Sequence, residues 1–494
     1  MLQQVNRGDH PGTSSTALAV SSPGRRRRRL LTGPAGPIEA LLIAWPVWWL
    51  LGFGDYIVVL LAFPMMSRMY AWRSVGRKVR MPPGFGLWVM FLIVMLAGVL
   101  ELGVTAPYTI ASPTSHRIIS WAVRALDYGG VTVLLLYAGN LTERELPRKR
   151  LAWLLGLVGI YAVVGGLCGV IAPSVHFTSP LAYVIPQSQQ LSNGQLFTML
   201  HPGFSQVQNI LGYAVGRPMA PFDYTNMWGN ALAILLPWLV VAWWCFGTRR
   251  QRQWTVAILA VALIPAVRSL DRGLWVGVGC TVVYLAVRFA LRGRIALLVS
   301  LIAGIVVVAS VIFASPLHSL ISQRLSHGAS NQSRLTLSII ATKDVLNSPI
   351  LGYGDTRHAI GSAQSIAIGK KASCRNCGNS TIGGNGQFWL LMISTGVLGT
   401  ALYCAFFGYG IWRYRRDHTP YGMAGLLVLE LSFVFMLFYA TVGPVINFMM
   451  LSYALLWRND QEMRRGGTPE EEEDGGDSAQ AGPRPRAVTA GVQA

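Results

Sequence analysis

Arginine is the residue type on which chemistry in this sequence can turn. Arg217 stands in GRPMAPFDYTNMWGN. Arg268, Asp271 and Arg272 stand in RSLDRGLWVG, and Arg334 heads SRLTLSIIATKDV. Each segment abuts a long apolar stretch. A guanidinium keeps its charge at physiological pH and binds paired oxygens through parallel N–H donors, so a cluster of them suits a phosphate or diphosphate. The structural alternative for each is a side chain that snorkels to lipid headgroups, or a local pair such as Asp271 with Arg272. Arg124 and Asp127, three residues apart, are expected to satisfy one another within a single helix.

Motifs of soluble enzymology are missing. There is no P-loop, no H-E-x-x-H and no paired C-x-x-C, so neither a nucleotide, a metal nor another cofactor is expected. Any reaction must then draw its energy from the substrate. Four of the six cysteines lie in apolar stretches; Cys374 and Cys377 form one C-x-x-C. That pair is compatible with a disulfide, with free thiols or with part of a metal site.

The elements that must position these residues follow from composition. The chain has 494 residues, 52% hydrophobic and 13% charged, with a net charge of +20. Soluble domains carry about 25% charged residues. A membrane-spanning helix needs about 20 apolar residues, and such stretches recur at 38–53, 55–72, 85–104, 118–141, 151–172, 227–246, 254–270, 273–291, 295–314, 388–412, 422–440 and 444–457. The expected fold is therefore an all-α integral membrane protein of about 12 transmembrane helices. Its positive charge sits in short runs between these stretches (25–29, 73–80, 148–150, 249–252, 292–294 and 413–416). That is the positive-inside pattern and not a nucleic-acid footprint. It places both termini in the cytoplasm and all the arginines named at the outset except Arg124 on the opposite side.

The domain reading is a basic tail at 1–33, a membrane domain at 34–460 and an acidic, Gly- and Ala-rich tail at 461–494, both tails disordered. Two long outer segments interrupt the membrane domain, 173–225 and 315–387, the second between spans nine and ten. Loops of that length usually carry function. Within the second, 333–346 reads as an amphipathic helix stopped by Asn347-Ser348-Pro349 and suited to cap the bundle.

Four segments in order carry a family resemblance: GRPMAPFDYTNMWGNALAILLPW, RSLDRGLWVGVG, SRLTLSIIATKDVLNSPILGYGD and NGQFWLLMISTGVLG. Over roughly residues 210–400 the chain resembles the bacterial O-antigen ligase and O-antigen polymerase superfamily of membrane glycan transferases. The resemblance implies a glycosyltransferase in the bacterial cytoplasmic membrane, acting in cell-envelope polysaccharide biosynthesis. Its donor would be an oligosaccharide linked to undecaprenyl diphosphate, its acceptor a glycan or lipid hydroxyl, and its neighbours membrane lipids and envelope polysaccharide assembly proteins. No cofactor or metal is implied. Arg272 and Arg334 match the family's arginines thought to hold the diphosphate, with Arg217, Arg268 and Asp271 as further substrate-binding candidates. Asn385 stands where ligases carry a histidine. Asparagine cannot act as a general base at neutral pH, though it can orient a hydroxyl; this favours the polymerase-like relatives. If a base is needed, His327, His358, Asp271 and Asp355 are the candidates, with no choice among them. The competing reading is a flippase for lipid-linked sugars or another transporter.

Overall fold

The computed structural model describes residues 33–110, 112–192, 194–315, 317–326, 329–359, 381–441 and 443–466. His327, Cys374, Cys377 and most of both tails lie outside the described residues. Within them the chain is mostly helical, as expected, with one two-stranded antiparallel hairpin. Six helices are long and apolar enough to cross a membrane: α5 (Thr114–Asn140), α6 (Arg148–Ile171), α9 (Thr225–Leu239, continued by a wider turn to Cys245), α11 (Arg272–Ala290), α12 (Ile295–Ala314) and α15 (Gln387–Tyr414).

The remaining predicted spans also fall on helices, but with altered shape. The first, 38–53, is two short helices, α1 (Gly36–Ile43) and α2 (Trp45–Leu51). They part at Ala44, because Pro46 in the first turn of α2 has no N–H to continue the ladder. The rest are α3 (Ile57–Ser74), α4 (Phe85–Ala97), α10 (Arg249–Arg268), α16 (Pro420–Phe435) and α17 (Pro444–Arg464). Since α17 runs to Arg464, the tail predicted from 461 begins later. Thr248 and Gln251 form a capping box that starts α10, which sets it five residues ahead of the predicted span.

Among its described residues the segment 173–225 holds a 3-10 turn (Pro180–Tyr183), two short α-helices, α7 (Gln187–Ser192) and α8 (Gly194–Leu200), and a hairpin that the all-α reading omitted. Strands β1 (Ser205–Asn209) and β2 (Ala214–Pro218) pair with Gln206 opposite Arg217. The other outer segment holds α13 (Leu317–Ser326) and α14 (Ala329–Val345). The predicted amphipathic helix is α14. It packs on α15 through Leu337 and Ala341, while Leu335 and Ile339 stay exposed.

Helix α17 is the centre of the bundle. Every residue from Pro444 to Arg458 is buried, as expected of a helix apolar on all sides. It packs against α5, α16, α9 and α6. Close approach of α6 to α9 depends on Gly156, where an added Cβ would lie 2.8 Å from the Leu239 Cα. By contrast α12 has no buried residue and rests on α11 and α13.

Helix α15 is broken at Gly396 (φ 68°, ψ −171°), a conformation essentially confined to glycine. Breaking a helix frees backbone groups that a bilayer cannot satisfy. The segment 349–354 satisfies them: the N–H groups of Tyr353 and Gly354 donate to Ile393 O and Ser394 O at 2.8 and 3.1 Å, and Val397 N–H donates to Pro349 O at 2.7 Å. This docking fixes the outer segment against the bundle.

Candidate functional site

The site is built at the turn between α10 and α11. Leu270 takes a left-handed conformation (φ 53°), reversing the chain. Asp271 then caps α11, its Oδ1 accepting from Gly273 N–H at 3.1 Å. Capping makes Arg272 the first residue of the helix, at its mouth. Strand β2 brings Arg217, α13 brings Arg324, α14 brings Arg334 and Ser338, and the approach to α15 brings Asn385. All of these line one cavity of about 540 Å³.

Each group is held. The Arg217 Nε donates to Ser269 O at 2.5 Å and its Nη1 to Gln208 Oε1. The Arg324 Nε donates to Leu270 O at 3.0 Å, and the Arg334 Nη1 to Phe438 O at 3.0 Å. Asn385 Nδ2 donates to Ser338 Oγ at 2.8 Å, while its Oδ1 is buried without a partner among the described residues. The Tyr439 hydroxyl donates to Asp271 Oδ1.

Electrostatically the cavity is lopsided: among the described residues four guanidiniums line it with one carboxylate, Asp271. Burial lowers Arg217 from its ordinary value, with Asp271 opposing the shift. Burial, then the like charges of Arg272 and Arg217, pull Arg324 down to about 10. Like charges gathered in this way are relieved by an anion. The rim is apolar: Leu335, Val276 and Leu437 line the cavity and are 61%, 46% and 44% exposed.

Of the sequence candidates, Arg217, Asp271, Arg272, Arg334 and Asn385 therefore converge. Arg268 does not. It is exposed on the last turn of α10, and the reversal at Leu270 separates it from the cavity. Arg324 and Ser338 were missed, although Arg324 satisfies the rule that picked out the others, an arginine on the outer side against the charge trend.

The expected Arg124–Asp127 pair is also corrected. Arg124 Nη2 lies 2.8 Å from Asp355 Oδ1, on the outer segment, and Asp127 Oδ2 accepts from Gly443 N–H at 3.3 Å. Asp355 is thus committed to an ion pair. His358 bridges to Thr381 through the backbone. Neither lines the cavity; of the base candidates among the described residues only Asp271 does. Among the described residues no cluster of His, Cys, Asp or Glu could hold a metal ion.

Compared with known proteins, the chain matches no family model, no curated protein and no solved structure.

Proposed function

We propose that this protein is a membrane glycan polymerase or ligase that transfers an undecaprenyl-diphosphate-linked oligosaccharide to an acceptor hydroxyl. The reading places it in the bacterial cytoplasmic membrane with about twelve spans, both termini cytoplasmic and the arginine cavity on the outer face. One observation carries it: four guanidiniums share a cavity whose rim is exposed and apolar. Such a site suits an amphiphile with a diphosphate head and a hydrocarbon tail lying in the bilayer.

In the reaction the acceptor oxygen forms a bond to the anomeric carbon, the bond from that carbon to the diphosphate oxygen breaks, and the acceptor proton passes to Asp271 or to the departing diphosphate. Negative charge grows on the leaving diphosphate. Arg272 and Arg334 stabilise it, and Arg217 and Arg324 add their charge from the same cavity. The unpartnered Asn385 Oδ1 accepts from the incoming hydroxyl and orients it.

The test is an Arg272→Ala strain, checked for normal protein level and profiled for surface polymer and for lipid-diphosphate intermediates. Loss of one preformed donor is expected to slow transfer by about 10²–10³-fold, shortening the polymer while outward-facing donor accumulates. Normal polymer would remove Arg272 from the mechanism. Donor trapped on the inner leaflet would favour the flippase reading instead.

A further inference from the structure

At the opposite end of the bundle from the arginine cavity lies a second cavity, of about 580 Å³. Its walls are the segment after α3, the end of α5 and the last turns of α17. Among the described residues five cations line it, Arg77, Lys78, Arg80, Arg458 and Arg465, of which Arg77 pairs with Glu145, Arg458 with Glu143 and Arg465 with Glu462, leaving Lys78 and Arg80 with no carboxylate partner among them.

The site is built and not merely a charged surface. Arg80 and Asn140 lock its wall: Arg80 N–H donates to Asn140 Oδ1 at 2.8 Å, and Asn140 Nδ2 donates back to Arg80 O at 2.9 Å. Arg458 has a side chain only 4% exposed. Its Nη2 donates to Glu143 Oε1 at 2.8 Å and Leu146 O at 2.5 Å, but its Nη1 is buried without a partner among the described residues. Gln461 Oε1 accepts from Arg80 at 3.3 Å, while its Nε2 is likewise buried and unpartnered. Among the described residues two donors in a cationic hollow thus lack acceptors, which a phosphate oxygen would supply.

The flank indicates what carries that phosphate. Phe63, Met66 and Tyr70 form a stripe along α3 at 67%, 50% and 76% exposure, and the helix ends beside the cavity. Val75 and Met81 extend the exposed apolar surface to either side of the cationic segment, at 76% and 54%.

We propose that this cavity binds the phosphodiester headgroup of an anionic membrane lipid, with the acyl chains lying along α3. The positive-inside pattern assigns this face to the cytoplasmic leaflet, where anionic headgroups meet basic pockets between helices. The site is separate from the proposed transfer site and does not depend on that reading.

The experiment uses the full chain purified in detergent, titrated with short-chain phosphatidylglycerol, short-chain phosphatidylcholine and inorganic phosphate, with thermal stabilisation and native mass spectrometry as readouts. The variant is Lys78→Gln/Arg80→Gln, which leaves the buried Arg458 pairs intact; unchanged melting without ligand confirms its fold. Phosphatidylglycerol is expected to bind and stabilise, and the double variant to bind it roughly 30-fold more weakly. The proposal is overturned if phosphatidylcholine binds equally well, if the variant retains full affinity, or if inorganic phosphate matches the lipid, which would make the ligand a soluble phosphate.

Discussion

The hydroxyl of Tyr439 lies 2.6 Å from Oδ1 of Asp271, so that the connector after α16 is tied to the N-cap of α11. The same carboxylate caps the helix through Gly273 N–H. A buried hydrogen bond to a charged acceptor contributes about 2 kcal/mol. A double-mutant cycle of Tyr439→Phe and Asp271→Asn should return a coupling energy of that order in thermal or denaturant unfolding. Strict additivity would mean that the two groups do not interact in solution.

Arg217 and Arg324 are both held through Nε, to the carbonyls of Ser269 and Leu270. Lysine has no Nε–H and no planar fork. Under the proposed function, Arg217→Lys and Arg324→Lys are therefore expected to impair polymer formation nearly as much as the corresponding glutamines, despite keeping the charge. Comparing chain-length profiles of the four strains checks this, and lysine variants behaving as wild type would reduce the requirement to charge alone.

Arg124 of α5 and Asp355 of the outer segment form a buried pair. Removing one partner strands the other: Arg124→Ala should destabilise by about 3–5 kcal/mol. The apolar double variant Arg124→Met/Asp355→Leu should recover most of that loss. Limited proteolysis between α14 and α15 follows the docking directly. Equal protection in the single and double variants would argue that the pair contributes little.

Asp344 is buried in α14, and burial pushes it up to about 7, with Arg357 opposing the shift. An unfolded aspartate titrates near about 3.9. Between those values the folded state holds the extra proton, so the contribution of Asp344 to stability is fully present at low pH. It declines as pH rises from about 4 to about 7, then levels off. Melting temperatures at pH 5 and pH 8 should differ less in Asp344→Asn than in the parent chain. An unaltered difference would place Asp344 in contact with water.

Gly396→Ala introduces a Cβ 2.6 Å from Pro349 O in a backbone region that alanine avoids. A loss exceeding about 3 kcal/mol is expected. The damage should appear first as release of the 349–354 segment, read by hydrogen exchange at Tyr353 and Gly354. Protection equal to the parent at those amides would show that the break tolerates a side chain.

Much of the molecule was legible because bilayer chemistry writes long signals. Apolar stretches marked a helix at each expected span, and arginines set against the charge trend marked the segments that meet in the cavity. What escaped depended on tertiary geometry. Spacing suggested that Arg124 would choose Asp127, yet its partner lies 231 residues away, because the outer segment folds back onto α5. Arg268 shared its segment with Arg272, but the turn at Leu270 sends them apart. Arg324 lies among serine and glutamine, with no apolar stretch immediately behind it to draw notice. The break in α15 was visible only as a glycine in an apolar run, where glycine is common.

The position of α17 bears on how the chain is assembled. The helix around which its neighbours pack is also the one that follows every other described helix in the sequence. While earlier segments enter the bilayer during translation, the groove they will share has no occupant. Their facing surfaces must wait, loosely paired in lipid, until the ribosome has made residues 444–464. A chain interrupted before that point lacks the member that joins its helices, and its bundle is expected to stay open.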